Sequence, residues 1–180
     1  MREASQDVAE HVNLIKKIER AFAELTIPHK DEIVSNLVWA GRLDLDRVET
    51  MERLTGREWQ RLGRDAIVEH VDALPTLTPE AFRYYMPAFL IDVIHESMPG
   101  SNHRPPVSER VIFMIVPVAD RKEDRFLVEQ TRCFNRKQSQ AVYDFLVFQI
   151  PTSLDERDLT PDQANQALVF WKAKTEQAGD

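Results

Sequence analysis

The segment from Leu77 to Met98 constrains the fold more than any other part of the sequence. Thr78 followed by Pro79 predicts a helix start, because a threonine side chain accepts hydrogen bonds from free backbone N–H groups and proline fits the first helical position. A helix that is apolar on most sides must be buried on most sides. The sequence therefore predicts a buried central helix at residues 79–98. Its two apolar faces consist of Phe82, Tyr85, Met86, Phe89, Leu90, Val93 and Ile94 on one side and Tyr84, Ala88, Ile91 and His95 on the other.

Pro87 lies inside this predicted helix. It cannot donate a hydrogen bond to the carbonyl of Arg83, and its ring presses against that carbonyl, so we expect a kink. One interpretation is that the kink only curves the helix around the core. The other is that the freed carbonyl, together with Arg83, Tyr84 and Tyr85, marks a binding surface, since arginine and tyrosine often anchor interfaces.

The composition favours one all-α domain. The chain has 180 residues, of which 43% are apolar and 29% are charged, and only 5 are glycine. These values suit one compact globular unit with a substantial core. Few stretches alternate between apolar and polar residues as half-buried strands do. We therefore predict a single α-helical domain over residues 1–180, built as a multi-helix bundle around the Pro-kinked central helix.

The net charge of −7, from 23 basic and 30 acidic residues, limits the classes of partner. It disfavours non-specific binding to nucleic acid, which needs clustered lysine and arginine, and it is compatible with a basic protein partner. The N-terminal residues are polar and no apolar run approaches the length of a membrane span. We therefore expect no membrane association and a cytoplasmic location. The sequence assigns no oligomeric state.

Helix caps and breakers divide the chain before the central helix. Asp31 is a predicted N-cap, and Gly41 is the predicted stop of the helix that Asp31 opens. Asp46 and Glu49 have the spacing of a capping box, in which the two side chains bond each other's backbone N–H groups. The predicted helices are residues 4–26, 31–41, 46–55 and 65–73.

After the central helix, residues 99–106 contain three prolines and one glycine, which predicts an exposed loop. The apolar run within residues 109–116 suits either a buried strand or a helix. We predict a helix, because Ser108 and Glu109 form a fair helix start and a lone strand would lack a partner. The mixed charges at residues 120–124 and 155–158 predict solvated linkers.

The last part of the chain predicts a helical hairpin. Asn135 and Gln138 have the spacing of a helix start, and Thr160 and Gln163 repeat it. Pro151 is the predicted end of the first helix. The short connection between the two helices predicts that they run antiparallel.

Sequence motifs for catalysis are absent. The chain has no glycine-rich phosphate loop and no Gly-x-Ser-x-Gly elbow. Its single cysteine, Cys133, excludes an internal disulfide. Arg132 and Arg136 flank Cys133 and could lower the pKa of its thiol, but a lone cysteine beside Phe134 also fits a simple packing role. We predict no catalytic residue and no cofactor.

Two local groups have metal-ligand residue types at close spacing, and one of them is Glu69, His70 and Asp72. The other is Asp92, His95 and Glu96, in which Asp92 and His95 share one helical neighbourhood. A structural contact between Asp92 and the ring of His95 explains the same spacing with fewer requirements. We therefore predict no metal site. A small metal-dependent enzyme that uses these three residues remains the alternative.

The run from Leu77 to Phe89, with the sequence LTPEAFRYYMPAF, resembles the signature of a family of uncharacterised bacterial proteins. The likeness extends upstream through Ala21-Phe22, Ile33-Val34 and Trp59, and downstream through residues 134–146. The resemblance implies a cytoplasmic, mainly helical domain without an assigned activity. Some small proteins of this kind look like immunity or accessory proteins encoded near secreted toxins.

These observations favour a non-enzymatic protein-interaction module, with an immunity-type protein that blocks a basic toxin as its most specific form. The predicted binding residues are Arg83, Tyr84, Tyr85, Asp92 and His95. Besides the metal-dependent enzyme, a ligand-binding helical domain with a pocket beside Pro87 is a further alternative.

Overall fold

The computed structural model describes residues 2–35, 38–39, 42–117, 121–155 and 159–177. Within these residues the protein is all-α apart from one very short β-hairpin, which confirms the predicted fold class. None of the described helices is both long and apolar enough to cross a membrane. The α-helices are α1 (Arg2–Phe22), α2 (Leu45–Leu54), α3 (Arg64–His70), α4 (Pro79–Ser97), α5 (Ser108–Ile115), α6 (Arg121–Gln130), α7 (Arg136–Asp155) and α8 (Pro161–Gln177).

Helix α4 is the predicted central helix. The side chain of Thr78 caps it by accepting a hydrogen bond from the backbone N–H of Ala81, at 3.1 Å. The helix runs through Pro87 and ends at Ser97. Both predicted apolar faces are buried, apart from the half-buried Ile91 and His95. The helix therefore packs against neighbours on nearly all sides, as the apolar pattern requires.

Aromatic side chains join the helices that surround α4. The ring of Phe134, in the turn before α7, lies 5.9 Å from the ring of Phe22 on α1 and 6.2 Å from that of Phe82 on α4. On its other side it contacts Trp171 of α8, with 5.6 Å between ring centroids. All four aromatic residues are buried in one continuous hydrophobic cluster. The core thus connects elements from both ends of the sequence.

The predicted capping boxes of the C-terminal hairpin are confirmed. The backbone N–H of Gln138 donates to the Asn135 side chain at 2.9 Å, and that of Asn135 donates to the Gln138 side chain at 3.1 Å. Thr160 and Gln163 make the same reciprocal pair at the start of α8. The prediction that Pro151 ends α7 is wrong, because this helix continues to Asp155. A proline removes one backbone hydrogen bond, and packing against α8 compensates for that loss.

The predicted helix at residues 31–41 is also wrong. The chain forms a short 3₁₀ turn at Lys30–Glu32, and two-residue strands β1 (Val38–Trp39) and β2 (Arg42–Leu43) then pair antiparallel. Before them, Val34 forms a β-bridge with Leu77. These contacts hold the segment extended against the residues before α4, and they outweigh its helical pattern. Gly41, the predicted stop, lies outside the described residues.

The starts of α2 and α6 also differ from the prediction. Helix α2 is capped by Asp44 and not by Asp46, since the side chain of Asp44 accepts from the N–H of Arg47 at 3.3 Å. Residues 121–124 begin α6 and are not a linker, whereas residue 120 lies outside the described part. Residues 156–158 of the other predicted linker also lie outside it. The prediction of a helix within residues 109–116 is confirmed by α5.

Candidate functional site

Asp92 and Glu96 lie one turn apart on α4, which places their side chains on the same face. Arg64, at the first position of α3, reaches both of them. Its Nη1 pairs with Asp92 Oδ2, and its Nη2 lies 2.7 Å from Glu96 Oε1. The two carboxylate side chains are 6% and 9% exposed, so the three residues form a nearly buried ion network.

Glu96 also ties the exposed loop to the helix that follows it. Its Oε1 accepts a hydrogen bond from the N–H of Val107 at 2.7 Å, and its Oε2 accepts from the N–H of Ser108 at 3.1 Å. These donors belong to the start of α5, whose free N–H groups and dipole favour a negative charge. Arg64 donates in addition to the carbonyl of Pro105. The loop of residues 99–106 is therefore exposed, as predicted, and hydrogen bonds to Arg64 and Glu96 hold its C-terminal end in place.

Two histidines complete this polar cluster of Arg64, Asp92, His95, Glu96 and His103. The rings of His95 and His103 are nearly parallel, with 5.9 Å between centroids. His103 Nε2 lies 4.0 Å from Asp92 Oδ1. The expected structural contact between Asp92 and His95 is therefore wrong, because Asp92 faces Arg64 and His103.

Stability should fall on acidification because of two imidazoles, of which one is half-buried and the other buried. Burial lowers the pKa of His95, and the neighbouring His103 and His11 lower it further. Burial also lowers the pKa of His70. Below about pH 6.5, the ordinary value for histidine, the unfolded chain binds protons that the folded chain does not, so the free energy of unfolding decreases as the pH falls.

We expect denaturant titrations to give a lower free energy of unfolding at about pH 5 than at about pH 7.5. His95→Gln and His70→Gln should each reduce this difference, whereas His29→Gln, at an exposed position, should leave it unchanged. An unchanged difference in both test variants would show that other groups cause the acid sensitivity.

The structure gives no support to the alternative metal site. No group of three or more His, Cys, Asp or Glu side chains within the described residues is arranged to hold a metal ion. Asp92 and Glu96, two of the predicted ligands, are paired with Arg64. The oxygens of both residues bind the Arg64 guanidinium, and those of Glu96 also accept hydrogen bonds at the start of α5. The ring of His95 lies nearly parallel to that of His103.

The predicted residues Arg83, Tyr84 and Tyr85 lie apart from this cluster. The hydroxyl of Tyr85 donates to the carbonyl of Leu54 at 2.7 Å, and its ring is fully buried. Tyr84 is buried too, at 4.9 Å from the Tyr85 ring. Arg83 points the other way and donates to the carbonyl of Cys133 at 2.6 Å. The five predicted binding residues thus occupy three separate environments.

Cys133 is a thiol and not a thiolate. Burial raises the pKa of the Cys133 thiol, and its hydrogen bond to Glu80 Oε1, at 3.1 Å, raises it further. Arg132 acts in the opposite direction but is itself paired with Glu80. The raised pKa counts against the alternative in which the flanking arginines activate this cysteine.

A surface depression of about 400 Å³ lies where α2 meets α3 and the following 3₁₀ segment at Val71–Thr76. Carboxylates dominate its lining, with Arg47 as the one arginine among the described residues that line it. The sequence drew attention to Glu69, His70 and Asp72 only as a local group with metal-ligand residue types, and it did not reveal that α2 completes the depression beside them. We call it the acidic depression, and its carboxylates are Asp44, Asp46, Glu49, Glu69 and Asp72.

Arginines at the edge neutralise part of the acidic depression. Arg47 pairs with Asp44 at 3.0 Å, Arg53 pairs with both Glu49 and Glu69, and Arg110 pairs with Asp72 at 3.0 Å. In the part of the chain that the structure describes, Asp46 has no ion-pair partner. The depression therefore keeps a negative charge, with Asp46 exposed at its edge.

His70 forms part of the wall of the acidic depression and is 6% exposed. Its ring makes no hydrogen bond to any residue in the described ranges. Its Nε2 lies 3.8 Å from Glu69 Oε2, and the charges of Arg53, Arg57 and Glu49 also act on the imidazole. Because burial lowers its pKa, the imidazole is neutral near pH 7 and keeps one nitrogen as an acceptor.

The sequence pattern that defines DUF6714, a family of unknown function, matches residues 10–175. The chain belongs to this family. The match begins within α1 and continues into α8, so the polar cluster and the acidic depression both lie inside the family region. No curated protein and no solved structure matches the chain.

Proposed function

We propose that this member of the family is a non-enzymatic protein-interaction module that recognises a basic protein. In its most specific form it is an immunity-type protein that neutralises a basic toxin. The observation that carries the proposal is the acidic depression, whose lining contains five carboxylates, one arginine and the buried, neutral His70.

The chemistry of this site suits an arginine or lysine side chain from a partner. The carboxylates of Asp46 and Glu69 offer charge-assisted hydrogen bonds, which are stronger than bonds between neutral groups. His70 offers a neutral acceptor at the wall, where a cationic imidazole would repel the incoming group. Negative charge around a concave site also attracts a basic partner and speeds association.

The candidate catalytic groups support binding over catalysis. Asp92 and Glu96 are held by Arg64, Tyr85 bonds a backbone carbonyl, and the Cys133 thiol bonds Glu80. Each of these side chains has a structural partner. Binding through surface complementarity needs a charged surface of matching shape, and the acidic depression provides a charged, concave surface.

Reversing one charge should separate specific docking from general attraction. Asp46→Lys changes the second residue of α2, at the edge of the acidic depression. Asp162→Lys makes the same change at the second residue of α8, outside it. Both substitutions alter the net charge equally and both place a cation in a first helical turn.

The first probe is a short arginine-rich peptide, followed by backbone NMR shifts and titration at low and moderate salt. We expect the shifts to centre on Asp46, Glu69 and His70. The affinity should fall at least about tenfold in Asp46→Lys and much less in Asp162→Lys. Equal losses in the two variants would contradict docking at this site.

The second probe is affinity capture from the source cells with the wild-type protein and both variants. The proposal expects a basic protein that wild type and Asp162→Lys retain and Asp46→Lys loses. Capture of an acidic partner, of the same partner by all three proteins, or of no partner would contradict it.

A further inference from the structure

An apolar hollow of about 320 Å³ borders the 3₁₀ segment Val71–Thr76, which also forms part of the acidic depression. Asp72 lines both of them, so the two concave surfaces are continuous. The other walls of the hollow come from α5 and from residues near the start of α8. The apolar residues that line it are Val71, Pro75, Phe113, Met114, Val116 and Leu159.

Phe113 is the most exposed aromatic residue among those whose exposure the structure describes, at 59%. Val71 and Met114, which line the same hollow, are buried, so the exposed ring stands beside a concave surface of apolar side chains. Phenylalanine and methionine are enriched in the contact regions of protein interfaces. A large apolar side chain from a partner can therefore pack against Phe113 and leave water.

The charges at the rim of the apolar hollow indicate the kind of partner that covers it. Its carboxylates are Asp72 and Glu109, and its arginine is Arg110. Arg110 pairs with Asp72 at 3.0 Å, whereas Glu109 has no ion-pair partner among the described residues. The rim thus keeps a negative charge, which favours a basic partner and repels an acidic one.

The acidic depression and the apolar hollow complement each other as parts of one surface. The lining of the depression offers charge but little apolar area, since Ala73 is its one aliphatic residue among those described. The hollow offers apolar area with a weak charge of the same sign. Protein interfaces commonly combine an apolar centre with a polar rim, and the apolar anchors supply much of the affinity.

We propose that the apolar hollow is a second docking point for the basic partner and takes a large apolar side chain, such as leucine, from the segment whose arginine or lysine enters the acidic depression. This inference rests on the proposed function and narrows the partner to one with an apolar residue close to a basic one in the docking segment. The depression attracts the segment, and the hollow selects it.

The test compares peptides of equal length and charge. Each contains four arginines, and the remaining residues are serine in the reference peptide. In the test set one serine at a time is replaced by leucine. We expect at least one leucine peptide to bind wild type at least about tenfold more tightly than the serine peptide, the gain from burying one leucine side chain. Its binding should add NMR shifts at Val71, Phe113 and Met114.

Phe113→Ser should abolish the gain from leucine and leave the affinity for the serine peptide unchanged. It should fold as wild type does, because the ring is largely exposed. Val128→Ser removes an apolar side chain of similar exposure, 53%, from α6, and its residue lines neither concave surface. This control should retain the full gain.

Three results would overturn the apolar docking point. They are a leucine set without any gain over serine, a gain that persists in Phe113→Ser, and an equal loss of the gain in Val128→Ser. Sedimentation that finds wild type dimeric and Phe113→Ser monomeric would also overturn it, because a second copy of the chain would then cover the hollow.

Asp46→Lys and Asp162→Lys distinguish failure of this inference from failure of the proposed function. If Asp46→Lys alone weakens the serine peptide while leucine adds nothing, the apolar docking point is wrong and the acidic depression remains the binding site. If both variants bind the serine peptide equally well, the proposed function is wrong, and the inference that rests on it falls too.

Discussion

Arg64→Met is expected to lower the free energy of unfolding by about 3–5 kcal/mol, the usual effect of removing one partner from a buried ion pair. Methionine keeps the length of the side chain and removes its charge, which leaves Asp92 and Glu96 without their cation. Both carboxylate side chains are almost fully buried, so water cannot replace the arginine. For a domain of this size the loss lowers the melting temperature by about 10 °C.

Chemical denaturation measures this effect, provided that the free energy of unfolding depends on denaturant concentration with the same slope in wild type and variant. Arg61→Met is the control. Arg61 pairs with Glu58 at 2.9 Å, but its side chain is 80% exposed. An exposed pair contributes about 0–1 kcal/mol, so the control should stay close to wild type. Equal effects in Arg61→Met and Arg64→Met would contradict a special role for the buried network.

A rescue experiment separates charge from packing at Arg64. In the Arg64→Met background, Asp92→Asn and Glu96→Gln remove the two charges that the first substitution leaves unpaired. We expect the triple variant to regain part of the lost stability. If it is less stable than Arg64→Met alone, packing or hydrogen-bond geometry outweighs the buried charge.

The elements that the sequence predicted best have strong local signals. Helix α4 was predictable because its apolar residues recur on two faces and because Thr78-Pro79 specifies its start. The boxes at Asn135 and Thr160 were predictable for the same reason, since both partners of each box lie within four residues. Such signals depend on the local chain alone, so they persist in the folded protein.

The contacts that the sequence did not reveal join distant segments. The cation for Asp92 is Arg64, which lies on another helix, whereas local spacing pointed to His95. The segment after Lys30 has helix caps, but its β-bridge from Val34 to Leu77 forms only when α4 is in place. Tertiary contacts of this kind override local propensity, and the local patterns in a single sequence do not reveal them.

The candidate sites were hidden for a related reason. The acidic composition of residues 44–72 was visible, but the meeting of α2 with the end of α3 was not. Phe113 looked like part of the apolar run within residues 109–116, and only the fold shows that its ring is exposed in a hollow beside the acidic depression. Predicting these sites therefore requires knowing how the helices pack together, in addition to where each helix lies in the sequence.

Trp171→Ala is expected to be the most destabilising single substitution in α8, at about 3–5 kcal/mol. The indole is fully buried and packs against the rings of Phe134 and Phe170. Its Nε1 donates to the carbonyl of Ile115 at 2.7 Å. Because Ile115 is the last residue of α5, this bond satisfies a carbonyl that has no partner within its own helix.

Trp171→Phe divides the two contributions. It retains much of the ring packing but leaves the Ile115 carbonyl without its donor, so we expect a loss of about 1–3 kcal/mol. Val169→Ala, at a site on α8 that is 60% exposed, should change stability by less than about 0.5 kcal/mol. Circular dichroism during urea unfolding measures all three variants. A loss below about 1 kcal/mol in Trp171→Ala would show that α8 unfolds separately from the core, because its main anchor would then contribute little to the cooperative transition.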